Sequence, residues 1–174
     1  MLYPGGTPTQ PEIIEVALSK LALKPSNVFA DIGCGSGSVS IRAAPYVKKV
    51  YAIDIRDEAV SAASGNLKEC GITNAEVLKG DAAELLSSIR VDCAFIGGSR
   101  NLREVIGVIV KNVPAFVVSA VRLETVNETV SLLKKNNKFR ELLQIHISRG
   151  SDLAGGTMLK PENPVFMIVG GEQC

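Results

Sequence analysis

Short apolar runs alternate along most of the chain with stretches in which apolar residues recur every three or four positions. That alternation predicts strands and helices in turn, the pattern of an α/β protein built on a parallel sheet. Thr9-Gln10-Pro11-Glu12 has the form of a capping box with proline in the first turn. Ile14, Ala17, Leu18 and Leu21 then share one face of the helix it opens. A first strand is expected over 28–32, with its helix starting near Gly37. A second strand, Val50 to Ile53, ends at Asp54. A helix from about Asp57 to Cys70 follows, with Asp57 as its cap and Gly71 as its stop. The third strand, Ala75 to Leu78, closes at Gly80-Asp81-Ala82. The fourth, Cys93 to Ile96, closes at Gly97-Gly98-Ser99, and the next helix carries Leu102, Val105, Ile106 and Ile109. A fifth strand, Phe116 to Val118, precedes a helix from about Glu124 to Lys135.

Beyond residue 138 the pattern changes. Phe139 to Ser148 alternates, with Leu143, Ile145 and Ile147 on one face and Gln144 and His146 on the other, which predicts a strand with one wetter side. Val165-Phe166-Met167-Ile168-Val169 is continuously apolar, as an interior strand covered on both faces would be. Arg149 to Asn163, rich in glycine and proline, is expected to be a loop. Two closing strands with no helix between them imply a terminal antiparallel pair. The expectation is one α/β domain over residues 1–174, with a Rossmann-like, seven-stranded, mostly parallel sheet.

Composition narrows the class. Hydrophobic residues make up 46% and charged residues 21% of 174, as in an ordinary globular protein. There is no Trp, and the mean hydropathy is slightly positive. Much apolar sequence is therefore expected in buried strands or in a subunit interface. The formal charge of +1 does not point to a uniformly basic nucleic-acid binder. Cys34, Cys70, Cys93 and Cys174 show no C-x-x-C spacing, and the single histidine, His146, is far from all of them. No zinc or other metal site is expected, and free buried thiols in a reducing cytosol are the default. Met1 to Gly6 lacks the basic-then-apolar order of a signal peptide, and no apolar run approaches the roughly 20 residues of a membrane helix. A cytoplasmic protein off the membrane is the expectation.

The chemistry is concentrated at strand ends. Val28 to Ile32 runs through Asp31 into Gly33-Cys34-Gly35-Ser36-Gly37, a buried strand that turns on three glycines. Such a turn lets backbone lie close against a nucleotide-like ligand. The dinucleotide fingerprint G-x-G-x-x-G would need glycine at 38, where Ser38 stands. The D-x-G-x-G-x-G spacing resembles motif I of the S-adenosylmethionine (SAM)-dependent methyltransferases. On that reading Gly33, Gly35 and Gly37 allow backbone contact with the amino-acid tail, and Asp31 helps hold its ammonium. Asp54, about 20 residues on, can accept both ribose hydroxyls. Asp81 can accept from an adenine amino group while the Ala82 amide donates to a ring nitrogen. Gly97, Gly98 and Ser99 leave space beside the sulfonium for the methyl acceptor. Cys34 reads as a small loop residue rather than a nucleophile, and His146 as a strand-surface histidine. No N-P-P-[YF] motif follows the fourth strand, which argues against methyltransferases that clamp a planar exocyclic nitrogen.

With these residues placed, the chain resembles the cobalt-precorrin-6B C15-methyltransferase (decarboxylating) family of anaerobic cobalamin biosynthesis, and the related C-terminal half of the aerobic precorrin methylase. The resemblance runs from the Gly6 region to Gly171. Its more specific parts are Pro8-Thr9, Gly97-Gly98-Ser99 with the Leu102-Val105-Ile106 helix, and Leu123-Glu124-Thr125. The last part is Arg149-Gly150 with Gly156-Thr157-Met158 and Asn163-Pro164-Val165. The resemblance implies the class I methyltransferase fold and a homotetramer. It also implies an enzyme that methylates a tetrapyrrole carbon and releases CO2 from a ring acetate, with SAM as methyl donor. It places Thr9, Gly33 to Gly37, Asp54 and Ala82 at the SAM site. The family often continues Gly-Gly-Ser with two glycines, and this chain departs with Arg100-Asn101.

A polycarboxylate substrate calls for cations, and arginine grips carboxylates bidentately. Arg100, Arg103, Arg122, Arg149 and Lys160 are the candidates, with Arg149, Arg100 and Arg122 favoured for substrate contact. Gly98 and Ser99 are expected beside them. Glu124 is a candidate acid or base or a helix cap, and Arg149 a second catalytic candidate. Alternative readings are a class I methyltransferase acting on tRNA or another small molecule, a non-catalytic SAM- or nucleotide-binding module, and an NAD-dependent reductase.

Overall fold

Strand β1 (Val28–Ile32) is an interior strand of the sheet, where its alternation sends Phe29 to one layer of helices and Ala30 and Ile32 to the other. The computed structural model describes residues 1–5, 8–98 and 100–172. β2 (Lys49–Asp54), β3 (Ala75–Lys79), β4 (Cys93–Ile96) and β5 (Ala115–Ala120) join β1 in parallel. Near the C-terminus, β6 (Phe139–Ile145) and β9 (Val165–Gly171) complete a seven-stranded sheet in the order β3-β2-β1-β4-β5-β9-β6. β9 runs antiparallel to both its neighbours. Met167 and Ile168 are fully buried within it, as its unbroken apolar run predicts.

Helices α1 (Pro11–Leu21), α2 (Ser38–Ala43) and α3 (Asp57–Glu69) cover one face. Helices α4 (Ala82–Ser88), α5 (Leu102–Asn112) and α6 (Leu123–Lys135) cover the other. On α1 the buried side chains are Ile13, Ile14, Ala17, Leu18 and Leu21, a stripe at helical spacing. The strand order reverses between β1 and β4, and in open α/β sheets ligands bind in the crevice beyond the strand ends at that point.

The structure departs from the sequence pattern in five places. Residues 149–163 are not a loop. β7 (Ser148–Leu153) and β8 (Gly156–Pro161) form a separate two-stranded antiparallel sheet. Ala154 (φ 50°) and Gly155 (φ 81°) make its two-residue turn with both residues left-handed, the geometry that matches strand twist. The Thr9–Glu12 capping box does not form. Gln10 is the N-cap of α1 without a side-chain cap bond, and Glu12 pairs with Arg149 instead. Asp57 is the first residue of α3 rather than its cap, which is Arg56. Helix α4 follows the third strand end, after which the sequence pattern named no element, and Asp81 caps it by accepting from the Ala83 and Glu84 amides. Finally, Cys34 and Cys70 carry free thiols, the second exposed, whereas Cys93 is disulfide-bonded; Cys174 lies outside the described residues. Among the described residues no helix is long and apolar enough to cross a membrane.

Candidate active site

A cavity of about 330 Å³ opens at the β1/β4 crossover. The β1 loop lines it with Asp31, Gly33, Cys34, Gly35 and Ser36. The ends of β2 and β3 add Asp54, Arg56, Asp81 and Ala82. Gly97, Gly98, Arg100 and Asn101 close it from β4, and Thr9 with Tyr3 and Pro4 from the N-terminal segment. The structure thus brings together most of the cofactor residues named from sequence. Ser99, named as a substrate contact, lies outside the described residues.

Local conformation explains the glycines. Gly33 has φ +72°, and a Cβ there would stand 2.1 Å from the Gly98 carbonyl oxygen. Gly37 is not in the cavity lining. It is the left-handed N-cap of α2 (φ 75°), and its own Cβ would lie 3.3 Å from Ala63 Cβ on α3. The third glycine of the motif therefore lets α2 pack closely against α3. Gly98 faces open space, with nothing within 4 Å of an added Cβ.

Four backbone donors of the glycine turn are already used. The Gly33 and Cys34 amides donate to the Ile53 carbonyl, and the Gly37 amide to the Cys34 carbonyl. The Gly35 amide donates to Asp54 Oδ2. A pyrophosphate needs free N–H groups at such a turn, and these four are not free. The turn offers a ligand close approach and carboxylates, which suits an ammonium.

Asp31 is 1% exposed. Alternation along β1 places it on the α2 side, where Oδ2 accepts from the Ser40 hydroxyl at 2.6 Å and the Ser40 amide at 3.0 Å. Oδ1 is buried without a hydrogen-bond partner. Burial pushes the carboxyl from 3.8 up to about 6, against the pull of the Ser40 hydroxyl and amide and with a further push from Asp54. A buried acceptor with no donor costs free energy unless a ligand supplies one, and an amino group does so.

Asp54 is held differently. Burial works to raise its carboxyl, but hydrogen bonds from the Arg56 side chain, the Arg56 amide and the Gly35 amide outweigh it and keep it below the usual carboxylate value. At the third strand end, Asp81 Oδ1 accepts the α4 cap bonds. Its Oδ2 accepts from Asn101 Nδ2 at 2.8 Å. Asn101, part of the departure from the family pattern, thereby ties the loop after β4 to the start of α4. Cys34 is buried, and desolvation with the charges of Asp31 and Asp54 pushes its thiol far above the ordinary range. Such an environment disfavours the thiolate.

Five sequence candidates stand apart from the cavity lining: Arg103, Arg122, Glu124, Arg149 and Lys160. Arg122 and Glu124, 74% and 77% exposed, form a loose ion pair at 3.7 Å. Arg149 sits on β7 and grips Glu12 bidentately at 2.9 and 3.0 Å, while its Nε donates to Glu162 at 2.7 Å. Glu162 also accepts from Gln10 Nε2. Arg103 pairs with Glu128, and Lys160 is exposed on β8. Sequence reasoning missed Arg56, Tyr3 and Pro4. No local pattern marks them, since the first acts through its neighbour Asp54 and the others reach the cavity only through the fold. Among the described residues no group of three His, Cys, Asp or Glu side chains stands together as a metal site.

The whole chain has relatives. Residues 3–170 match the family model of the precorrin methyltransferase domain. The probable cobalt-precorrin-6B C(15)-methyltransferase (decarboxylating) of Methanosarcina acetivorans is 49% identical over 177 residues, covering 98% of this chain and 96% of that protein. Among solved structures, a precorrin 8W decarboxylase of Methanobacterium thermoautotrophicum superposes with a TM-score of 0.89 at 34% identity, covering 97% of this chain and 93% of that one. A precorrin-6y C5,15-methyltransferase of Geobacter metallireducens gives a TM-score of 0.91 at 28% identity, covering 98% and 94%.

Proposed function

The chain belongs to the precorrin methyltransferase domain family, and we propose that it methylates C15 of cobalt-precorrin-6B with loss of CO2 from the ring-C acetate, using SAM. The observation that carries the cofactor reading is the buried, unpartnered Asp31 Oδ1 in a cavity walled by a glycine turn. When bound, SAM supplies an activated methyl group on a sulfonium. Asp31 Oδ1 would accept from the amino group of its tail, and Gly33 and Gly35 would let backbone lie against that tail. Asp54 would receive the ribose hydroxyls. The Asp81–Ala82 turn would border the adenine, with the Ala82 amide as donor.

Gly98 leaves open space beside the cavity, where a methyl acceptor would be admitted and oriented. Arg100, exposed on the cavity lining, binds a peripheral carboxylate of the tetrapyrrole. Arg122 and Arg149, lying apart from this cavity, are not assigned that task. Decarboxylation breaks the bond to the acetate carboxylate, and the conjugated ring system of the substrate takes up the electron pair. The chain contributes position and charge neutralisation. Assembly as a homotetramer fits the exposed apolar side chains Leu142 on β6 and Leu153 and Leu159 on the hairpin.

Mass spectrometry of purified protein with SAM and cobalt-precorrin-6B tests the reading. The expected product is heavier by one methyl group and lighter by one CO2. Methyl gain without CO2 loss would remove the decarboxylating step, and an unchanged substrate in a protein that binds SAM would remove the acceptor.

A further inference from the structure

Asp54 offers two oxygens with about four acceptor positions, and four hydrogen bonds fill them. Oδ1 accepts from the Arg56 amide and from Arg56 Nε, both at 3.1 Å. Oδ2 accepts from the Gly35 amide and from Arg56 Nη2, also both at 3.1 Å. A vicinal diol docking on this carboxylate needs two of the four. The two amide donors are fixed by the backbone. The two guanidinium donors are on a side chain 32% exposed, free to swing towards solvent.

The same guanidinium holds something else. Arg56 Nη1 donates to the Gly5 carbonyl at 2.8 Å. Gly5 lines the cavity together with Tyr3 and Pro4. The start of this N-terminal segment is pinned by Asn66, whose Oδ1 accepts from the Leu2 amide and whose Nδ2 donates to the Leu2 carbonyl. The guanidinium also lies over the glycine turn, 4.0 Å from where a Gly35 Cβ would stand. One side chain therefore bridges the acid of the nucleoside site and the N-terminal segment.

We propose that Arg56 is a positioning residue that gates the nucleoside end of the cavity: ribose hydroxyls displace its guanidinium from Asp54, and that displacement loosens the tether to Gly5, coupling cofactor occupancy to the N-terminal segment. The inference rests on the reading of this cavity as a SAM site. A carboxylate occupied by a competitor binds its ligand more weakly by the fraction of time it is free, so the pair sets cofactor affinity as well as segment order.

The test uses the full chain and S-adenosylhomocysteine, with calorimetry for affinity and the NMR 13C shift of the Gly5 carbonyl, whose oxygen the guanidinium holds. Arg56→Ala should bind S-adenosylhomocysteine roughly threefold to tenfold more tightly, because the competitor is gone. In the wild type, adding S-adenosylhomocysteine should move the Gly5 carbonyl resonance towards its position in Arg56→Ala. In Arg56→Ala that resonance should hold its place when the ligand is added. Arg56→Lys, which keeps the charge but not the paired donors, should fall between, and it carries the comparison if the alanine variant does not fold. Weaker binding by Arg56→Ala, or a Gly5 carbonyl resonance that ignores the ligand in the wild type, would overturn the gate. A folded wild type that does not bind S-adenosylhomocysteine would overturn the cofactor reading itself, so the two failures are distinct.

Discussion

Gly33 at the end of β1 and Gly98 beyond β4 touch so closely that a methyl group on Gly33 would lie 2.1 Å from the Gly98 carbonyl oxygen. The two loops that bound the cavity are thus packed backbone to backbone. Gly33→Ala must both relieve that overlap and adopt φ +72° with a side chain. A stability loss of about 3 kcal/mol is expected from the strained conformation and the displaced loop. Urea denaturation measures the loss, and calorimetry should show S-adenosylhomocysteine binding lost with it. Wild-type affinity in this variant would mean that the loop contact does not shape the cavity.

Gly37→Ala separates packing from binding. The residue keeps a left-handed conformation and would press on Ala63, but it does not line the cavity. A stability loss of about 1 to 2 kcal/mol is expected. Cofactor affinity of the folded fraction should stay within about twofold of the wild type, since binding to the native state alone is unaffected. A larger loss of affinity would return Gly37 to the ligand site.

Asp31 makes stability depend on pH in an unusual direction for a carboxylate. Its value rises from 3.8 to about 6 on folding, chiefly through burial. Between those values the native state holds the proton that the unfolded chain has released, so its contribution falls as pH rises from about 4 to about 6 and is constant above. The gap from 3.8 to about 6 corresponds to on the order of 3 kcal/mol. Asp31→Asn should remove this component from denaturation curves taken across that range. S-adenosylhomocysteine binding should move the opposite way, weakening below pH 6 as the carboxyl is neutralised and staying weak in the Asn variant at every pH.

Arg149 joins the β7–β8 hairpin to the start of α1 through Glu12 and Glu162. Hydrogen bonding from Arg149 lowers Glu12 from 4.5 to about 2. The attachment is therefore complete above about pH 4.5 and is lost as pH falls towards 2. Arg149→Ala should raise amide exchange in the hairpin at neutral pH and leave cofactor affinity unchanged. Acidification of the wild type should reproduce the effect, and a hairpin equally protected in the variant would show that its own ladder suffices.

Arg100 is the cation of the β4 loop at the cavity. If it holds a substrate carboxylate, Arg100→Ala should raise the KM for the tetrapyrrole by about tenfold, the scale of one charge-assisted hydrogen bond. The KM for SAM should hold. Equal effects on both would place Arg100 in the shaping of the loop instead.

How much of this was legible beforehand follows from the range over which each signal acts. Val50 to Ile53 and Val165 to Val169 read as strands because an apolar run flanked by polar turns has few other uses. The glycine turn after Asp31 read as a ligand site because both its conformation and its acid are written in adjacent residues. The hairpin over 148–161 did not read as strands. Its side chains are exposed along almost its whole length, so no alternation of apolar and polar residues marked it. Asp81 read as an adenine acceptor, but it also caps a helix whose short apolar pattern gave no warning.

The sequence by itself determined the strands and helices other than α4 and the β7–β8 hairpin, the turn at Gly33 and the acids at the ends of β1, β2 and β3. All of these depend on neighbours within one or two turns of chain. Only the tertiary structure decided that β9 enters between β5 and β6, that Gly33 must be glycine because of Gly98, and that the Arg56 guanidinium reaches the Gly5 carbonyl. It also separated Arg122, Glu124 and Arg149 from the cavity. Those outcomes depend on which distant segments the sheet order brings together, and that order is set by the burial of whole faces rather than by any local run of residues.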